Sequence, residues 1–364
     1  MSFNVRNNCN DNHMKKRITI LDIANELEIS RNTVSKVING TGSVSEQTRE
    51  KVIQKAAEIG YRQFFAPSSE QENTTTTPLC NKEIALLTHS LIGNSHFCSS
   101  LLNSFEKKIS SKGYRLSIYT IGDTEIDSFL LPANFNYENT DGIICIELFS
   151  RTYSEFLCKQ GIPTIFVDTA ANISDLNLDS DILYMESHGS VYVMLKELIE
   201  KGYRSISFVG DRYNCNSFYE RWKGYCDVLN DYHIAVNPSN CILDNDSSPY
   251  MDAEWLSKRI TALPQLPQVF FCANDFLAIS TLKALRKLNY SVPEDILLCG
   301  FDNSIESQIT EPALSTVNIP SKSMGYIAAD MIFSRIEFPD MPYRITYIKT
   351  NVIYRESTRY ADST

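Results

Sequence analysis

Long apolar runs are missing from this 364-residue chain, and no stretch approaches the roughly 18–20 residues that a membrane-crossing helix requires. The polar opening MSFNVRNNCNDNH lacks the apolar core of a secretory signal, so a cytoplasmic protein with no membrane partner is expected. The ten cysteines are scattered, with no C-x-x-C pair and no pairing with the five histidines at metal-site spacing. That excludes the usual zinc-site spacings and a disulfide framework, and it reads as reduced, buried thiols. A phosphate-cradling P-loop, a nucleophile elbow and a paired Cys/His are also absent, so neither an enzyme nor a resident metal or cofactor is expected.

Positive charge is scarce too: 34 Lys and Arg stand against 44 Asp and Glu, for a net charge of −10. Taken over the whole chain, this argues against a nucleic-acid partner. The distribution reverses the argument, because nine basic residues face six acidic ones between Lys15 and Arg62. Screening over about 10 Å means that phosphates would feel this segment and not a remote acidic body.

The same segment carries helical periodicity. At 100° per residue, Ile20, Ile23, Ala24 and Leu27 share one narrow arc, with Thr19 as cap and Asp22 three residues on. In a second helix Val34, Val37 and Ile38 form an apolar stripe, while Arg31, Asn32, Ser35, Lys36 and Asn39 lie opposite. Arg suits guanine, Asn suits adenine and Ser suits either base or phosphate, so this face fits a DNA major groove. Ser30 caps the second helix beside a phosphate-friendly N-terminus. Ser45 caps a third helix with Val52, Ile53, Ala56 and Ile59 on its apolar side and Gly60 as its stop signal. The expected core is Ala24, Leu27, Val34, Val52 and Ile53. An amphipathic helix pair with a merely solvated polar face would show much of this pattern.

The motifs I-T-I-x-D-I-A from Ile18, S-x-x-T-V-S-K-V-I-N-G from Ser30, and V-S-x-x-T-R-E-K-V from Val44 are more particular. Together they resemble the LacI/GalR (lactose-repressor) family of transcriptional regulators. That resemblance makes Thr19, Ser30, Thr33, Ser35, Asn39 and Thr48 phosphate-positioning or general DNA contacts, and Arg31, Asn32 and Lys36 sequence readers. One departure is Glu28, where the family's turn usually has Gly; if the turn needs a positive φ, Glu28 costs up to about 1 kcal/mol.

Residues 1–14 are expected to be a disordered extension, with Met14 an alternative start, 15–62 the helix-turn-helix domain and 63–82 a linker rich in Thr and Pro. The family places a short hinge helix in that linker, with an apolar wedge for the DNA minor groove. Here either Phe64 or Phe65 supplies the wedge or the central kink is weaker, and the polar composition favours the weaker kink.

From Glu83 onward, strand-length apolar runs alternate with helical patterns. Strands are expected at 84–88, 115–121, 142–146, 164–168, 206–210, 269–273 and 296–301, with helices at 97–112, 191–201, 217–231 and 276–288. Gly113-Tyr114, Gly202-Tyr203 and Asn289-Tyr290 repeat a helix-stop punctuation. The expected class is α/β with parallel sheets, in more strands than one sheet usually holds. The resemblance continues through Asn94-Ser95-His96-Phe97, Cys272-Ala273-Asn274-Asp275, Gly300-Phe301-Asp302-Asn303 and Met324-Gly325. It implies a three-helix headpiece joined to a two-lobed, periplasmic-binding-protein-like regulatory body over 83–364. The implied first lobe covers about 83–169 and 318–341, and the second about 170–317 and 342–360.

Ligands of open α/β sheets sit at the carboxyl ends of strands. That rule, with the resemblance, selects Asn94, His96, Phe97, Asp168, Arg221, Asn274 and Asp302 as effector contacts. A guanidinium with Asp and Asn can clamp vicinal hydroxyls, and Phe97 and Phe301 are offered as stacking platforms for a sugar. Asp168 and Asp302 are also residue types that cap turns, Asp275 can cap the helix after it, and His96 can be a surface histidine. Glu186-Ser187 replaces the family's Asp-Asn pair, which alters one corner of the cleft. The expected function is a DNA-binding regulator, most simply a homodimeric repressor on a pseudo-palindromic operator in double-stranded DNA, controlled by a carbohydrate-like small molecule. The alternative is a regulator of the same fold controlled by a phosphocarrier protein.

Overall fold

The computed structural model describes residues 20–38, 44–58, 82–89, 96–171 and 178–359. The chain divides into two compact units, Met1–Cys80 and Asn81–Thr364.

In the first unit, α1 (Ile20–Glu26), α2 (Arg31–Ile38) and α3 (Glu46–Glu58) pack on Ile23, Ala24, Val34, Val37, Val52 and Ala56, all buried. Leu27 is only partly buried, and Ile53 is 37% exposed, so Ile53 does not belong to the core expected for it. The reason is angular: Val52 and Ala56, four apart, already fill the inward stripe of α3, and Ile53 sits 100° around from Val52. Between α1 and α2 the chain turns through Glu28 at φ 53°, a left-handed conformation in a non-glycine residue. Thr19, Asn39, Ile59, Gly60 and the linker at 63–81 lie outside the described residues.

The second unit opens as an alternating series: β1 (Glu83–Thr88), α4 (His96–Ser110), β2 (Arg115–Thr120), α5 (Asp123–Ser128), β3 (Thr140–Ile146), α6 (Arg151–Cys158), β4 (Thr164–Val167) and β5 (Asp181–Met185). It continues with α7 (His188–Glu200), β6 (Ile206–Val209), α8 (Asn216–Asp231), α9 (Ala253–Thr261), β7 (Val269–Cys272), α10 (Asp275–Lys287), β8 (Leu297–Cys299), α11 (Ile305–Ile309) and β9 (Thr316–Asn318). It closes with α12 (Ser321–Glu337), β10 (Ile345–Ile348) and β11 (Asn351–Ile353).

A six-stranded sheet runs β10-β5-β4-β3-β1-β2, with every neighbouring pair parallel. A second, parallel sheet runs β6-β7-β8, and β9 pairs antiparallel with β11 beside it. Strands covered on both faces need apolar side chains on both. In β1, Ile84 and Leu86 enter one core while Ala85 and Leu87 enter the other. The three helix stops adopt left-handed backbone, with Gly113, Gly202 and Asn289 at φ 80°, 100° and 63°. The N–H of the tyrosine after each one returns to a carbonyl five residues back (Ile109, Leu198 and Leu285).

The lobe boundaries expected from the resemblance need correction. Residues up to Met185 stay with the first sheet, because β5 pairs with β4, and Ile345–Ile348 return to that sheet as β10. The fastening is a buried carboxylate. Asp181, fully buried, accepts from Arg335 of α12 through Nε and one terminal nitrogen at 3.1 and 3.0 Å, and from the Arg344 N–H at 2.7 Å. The chain therefore crosses between lobes three times, after Met185, after Asn318 and after Ile348.

Candidate functional site

The first surface of interest is α2. Ser30 Oγ accepts the Thr33 N–H at 3.1 Å and lies 2.8 Å from the Thr33 hydroxyl. Ser45 repeats the arrangement at the head of α3 with Thr48, at 3.3 and 2.7 Å. These caps satisfy amides that a helix cannot bond internally. With Val34 and Val37 turned into the core, Arg31, Asn32 and Lys36 stand exposed on the opposite face, and Ser35 is half-buried beside them. The α2 surface thus presents donors and acceptors from a short, well-capped helix, which is the form a major groove admits.

The second is a cavity of about 930 Å³ between the lobes of the regulatory body. One wall is made by the carboxyl ends of first-lobe strands, with Glu147 after β3, Asp168 after β4 and Met185 ending β5. The other wall is made by the amino ends of α8 and α10 together with Asp302. The size suits a small metabolite.

Arg221 of α8 is 2% exposed. It donates to the Ala273 carbonyl at 2.6 Å, lies 3.7 Å from Asp302 Oδ1, and rests 3.7 Å above the Phe301 ring centroid. Its Nε has no hydrogen-bond partner among the described residues. A buried donor left unpaired is costly, and Arg221 is one of the residues lining the cavity. Asp168, at φ 65°, accepts the Thr169 N–H at 2.8 Å and the Ser217 N–H at 3.2 Å. Burial pushes the carboxyls of Asp168 and Asp302 above their usual range, against the pull of the Arg221 charge on both and of the amide bonds on Asp168.

Of the residues expected here, Asp168, Arg221, Asn274 and Asp302 line this one cavity. Asn274 caps α10 by accepting the Leu277 N–H at 2.9 Å. Its neighbour Asp275 is fully buried and bound by the Thr316 hydroxyl at 2.6 Å and the Ser304 N–H at 2.8 Å, so Asp275 is neither cap nor ligand contact. His96 and Phe97 begin α4, while Asn94 lies outside the described residues. Phe301 is fully buried beneath Arg221 and gives no platform to a sugar; Phe149, Phe218 and Phe276 face the cavity instead. Glu186 turns from the cleft to the head of α7, where it accepts from the N–H groups of Gly189 and Ser190. Glu147 was missed by sequence reasoning, although the strand-end rule that selected Asp168 applies to it equally. The stretch 246–252 was missed for a better reason: it follows Ile242, whose only strand-like pairing is an isolated bridge to Val209.

A helix-turn-helix unit and a two-lobed receptor in one chain define a ligand-responsive class of transcriptional regulators. Residues 19–63 match the model for bacterial regulatory proteins of the lacI family, and residues 195–358 match that for a periplasmic binding protein-like domain. The ribose operon repressor of Haemophilus influenzae is 28% identical over 345 residues, 93% of this chain and 98% of the relative. The HTH-type transcriptional repressor PurR of Histophilus somni is 24% identical over 346 residues, 94% of this chain and 99% of the relative. The solved cellobiose complex of the transcriptional regulator CelR has the same fold, with a TM-score of 0.67 at 22% identity, covering 94% of this chain and 100% of that one. The chain belongs to the LacI family, which is a family of transcriptional regulators and not of enzymes.

Proposed function

We propose that this regulator is a cytoplasmic homodimeric repressor whose grip on a pseudo-palindromic operator is set by a carbohydrate-like molecule in the interlobe cleft. Two headpieces related by a two-fold axis need two half-sites related the same way. In this reading Arg31, Asn32 and Lys36 read bases, while Thr19, Ser30, Thr33, Ser35, Asn39 and Thr48 hold phosphates. Asp168, Arg221, Asn274 and Asp302 hold the ligand, and Asn94, His96 and Phe97, which follow β1 in sequence, add contacts to it. The observation that carries the reading is the buried, incompletely bonded Arg221 facing a cavity of metabolite size. The ribose operon repressor and the cellobiose complex among similar proteins support a sugar as ligand class. No observation favours a phosphocarrier partner.

The ligand acts by binding one arrangement of the lobes more tightly than the other, and its leverage equals that difference in affinity. Selection of duplexes from a random pool by the full chain, followed by footprinting, tests the DNA half. A dyad-related tract is expected, and Arg31→Ala should lose about 1–3 kcal/mol of discrimination at one base pair of each half-site. Enrichment of nothing, or equal weakening on every duplex, contradicts it.

A further inference from the structure

The first two turns of α8 belong to the second lobe, yet they are fastened to the first. The amides that open a helix cannot be bonded within it. Here two of them reach across to the other lobe: the Asn216 N–H donates to the Thr169 carbonyl at 2.8 Å, and the Ser217 N–H to Asp168 at 3.2 Å. Residues four apart share a helix face. Ser217 and Arg221 accordingly line the cavity together, while Asn216 and Glu220 form the strip beside it.

On that strip Glu220 accepts from the Tyr347 hydroxyl of β10 at 2.8 Å and from Asn216 Nδ2 at 3.3 Å. The Tyr347 ring lies against Tyr184 of β5 with centroids 5.1 Å apart, and the Tyr184 hydroxyl is 2.7 Å from that of Thr169. The contacts close a ring, with Thr169, Tyr184 and Tyr347 from the first lobe and Glu220 and Asn216 from α8. Its inner members Thr169 and Tyr184 are buried, but Tyr347 is 48% exposed.

An interface meant to stay shut is large and apolar, and a polar one lets its two bodies move. The last link of this ring is of the second kind. Burial lifts the Glu220 carboxyl above its usual range against the Tyr347 bond, and the charges of Asp168 and Glu186 add to the lift. A hydrogen bond at such a half-open seam biases an equilibrium by roughly threefold to tenfold, which tilts a balance between two arrangements without freezing it. Glu220 also directly precedes Arg221, so the residue that grips β10 and the residue that faces the ligand ride on the same turn of helix.

We propose that Glu220 and Tyr347 are positioning residues for the ligand response: they form a releasable clasp that holds α8, and with it Arg221, to the first lobe, and its opening shifts the regulator between two lobe arrangements of different operator affinity. This rests on the effector reading above.

Hydrogen exchange on the full chain reads the clasp, because the Asn216 and Ser217 amides are protected by acceptors of the opposite lobe. Tyr347→Phe removes the hydroxyl and keeps the ring on Tyr184. It should speed exchange at Asn216 and Ser217 by about threefold to tenfold, with the amides of β4 and β7 unchanged. Glu220→Ala removes the same bond from the other side and should match it, and the double variant should stay within about twofold of either single one. Both variants should also shift the ligand-free affinity for the selected dyad duplex by about threefold or more, in one common direction. Unmoved exchange at the two amides, faster exchange throughout both lobes, or effects that simply add overturns the clasp and leaves the effector reading standing. Faster exchange at the two amides with operator affinity unmoved overturns the inference together with the reading that lobe arrangement governs DNA binding.

Discussion

Glu28 holds a left-handed conformation, φ 53°, that costs a side-chain-bearing residue about 1 kcal/mol relative to glycine. Glu28→Gly should therefore slow exchange of the α1 and α2 amides in the full chain by several-fold; unchanged or faster exchange would show that Glu28 is not strained. The buried acids behind the cleft set a pH dependence. Burial lifts Asp302 above the usual carboxylate range against the charge of Arg221, and lifts Asp275 against its bonds from Thr316 and Ser304. Each binds its proton more firmly folded than unfolded, so each contributes stability at low pH that is lost as pH climbs toward the folded value. The melting temperature should accordingly fall between about pH 4 and neutrality, and Asp302→Asn should flatten that fall. A steeper slope in the variant would contradict the assignment. At this scale the sequence exposed Arg221 and Asp168 through their positions, but not the pairing of Arg221 with Phe301. That stacking buries the ring which sequence reasoning had offered to a sugar.

The elements most legible in advance were those with a local cause. The capping serines and the three left-handed stops each act within five residues, so spacing alone reveals them. β5 and β10 were placed in the wrong lobe because their cause is remote: Asp181 and Arg335 meet across 154 residues of sequence. Close helix packing has the same character. Gly325 of α12 faces α4, and a Cβ there would collide with the Leu101 carbonyl oxygen. Gly325→Ala should cost about 1–3 kcal/mol in urea unfolding, because backbone on both sides resists the shift. A neutral result would mean that the two helices can slide apart.

For the whole molecule, three crossings join two lobes that each have their own sheet, and the cleft lies where the first sheet's strand ends face the second lobe's helix ends. The alternation of strands and helices made this architecture readable, and the charge of residues 15–62 made the DNA-binding unit readable despite a net charge of −10. The character of the cleft was less so, because it is assembled from a few residues each at the ends of many separate strands, helices and loops. The central claim is that occupancy of this cleft governs operator binding. It is tested most directly by measuring the affinity of the full chain for its selected dyad duplex with and without a cleft-binding compound, in parallel for Arg221→Ala. The account predicts a change of about tenfold or more in the unaltered chain and none in the variant, with equal affinity of the two ligand-free proteins for DNA. The same ligand response in both proteins would contradict it.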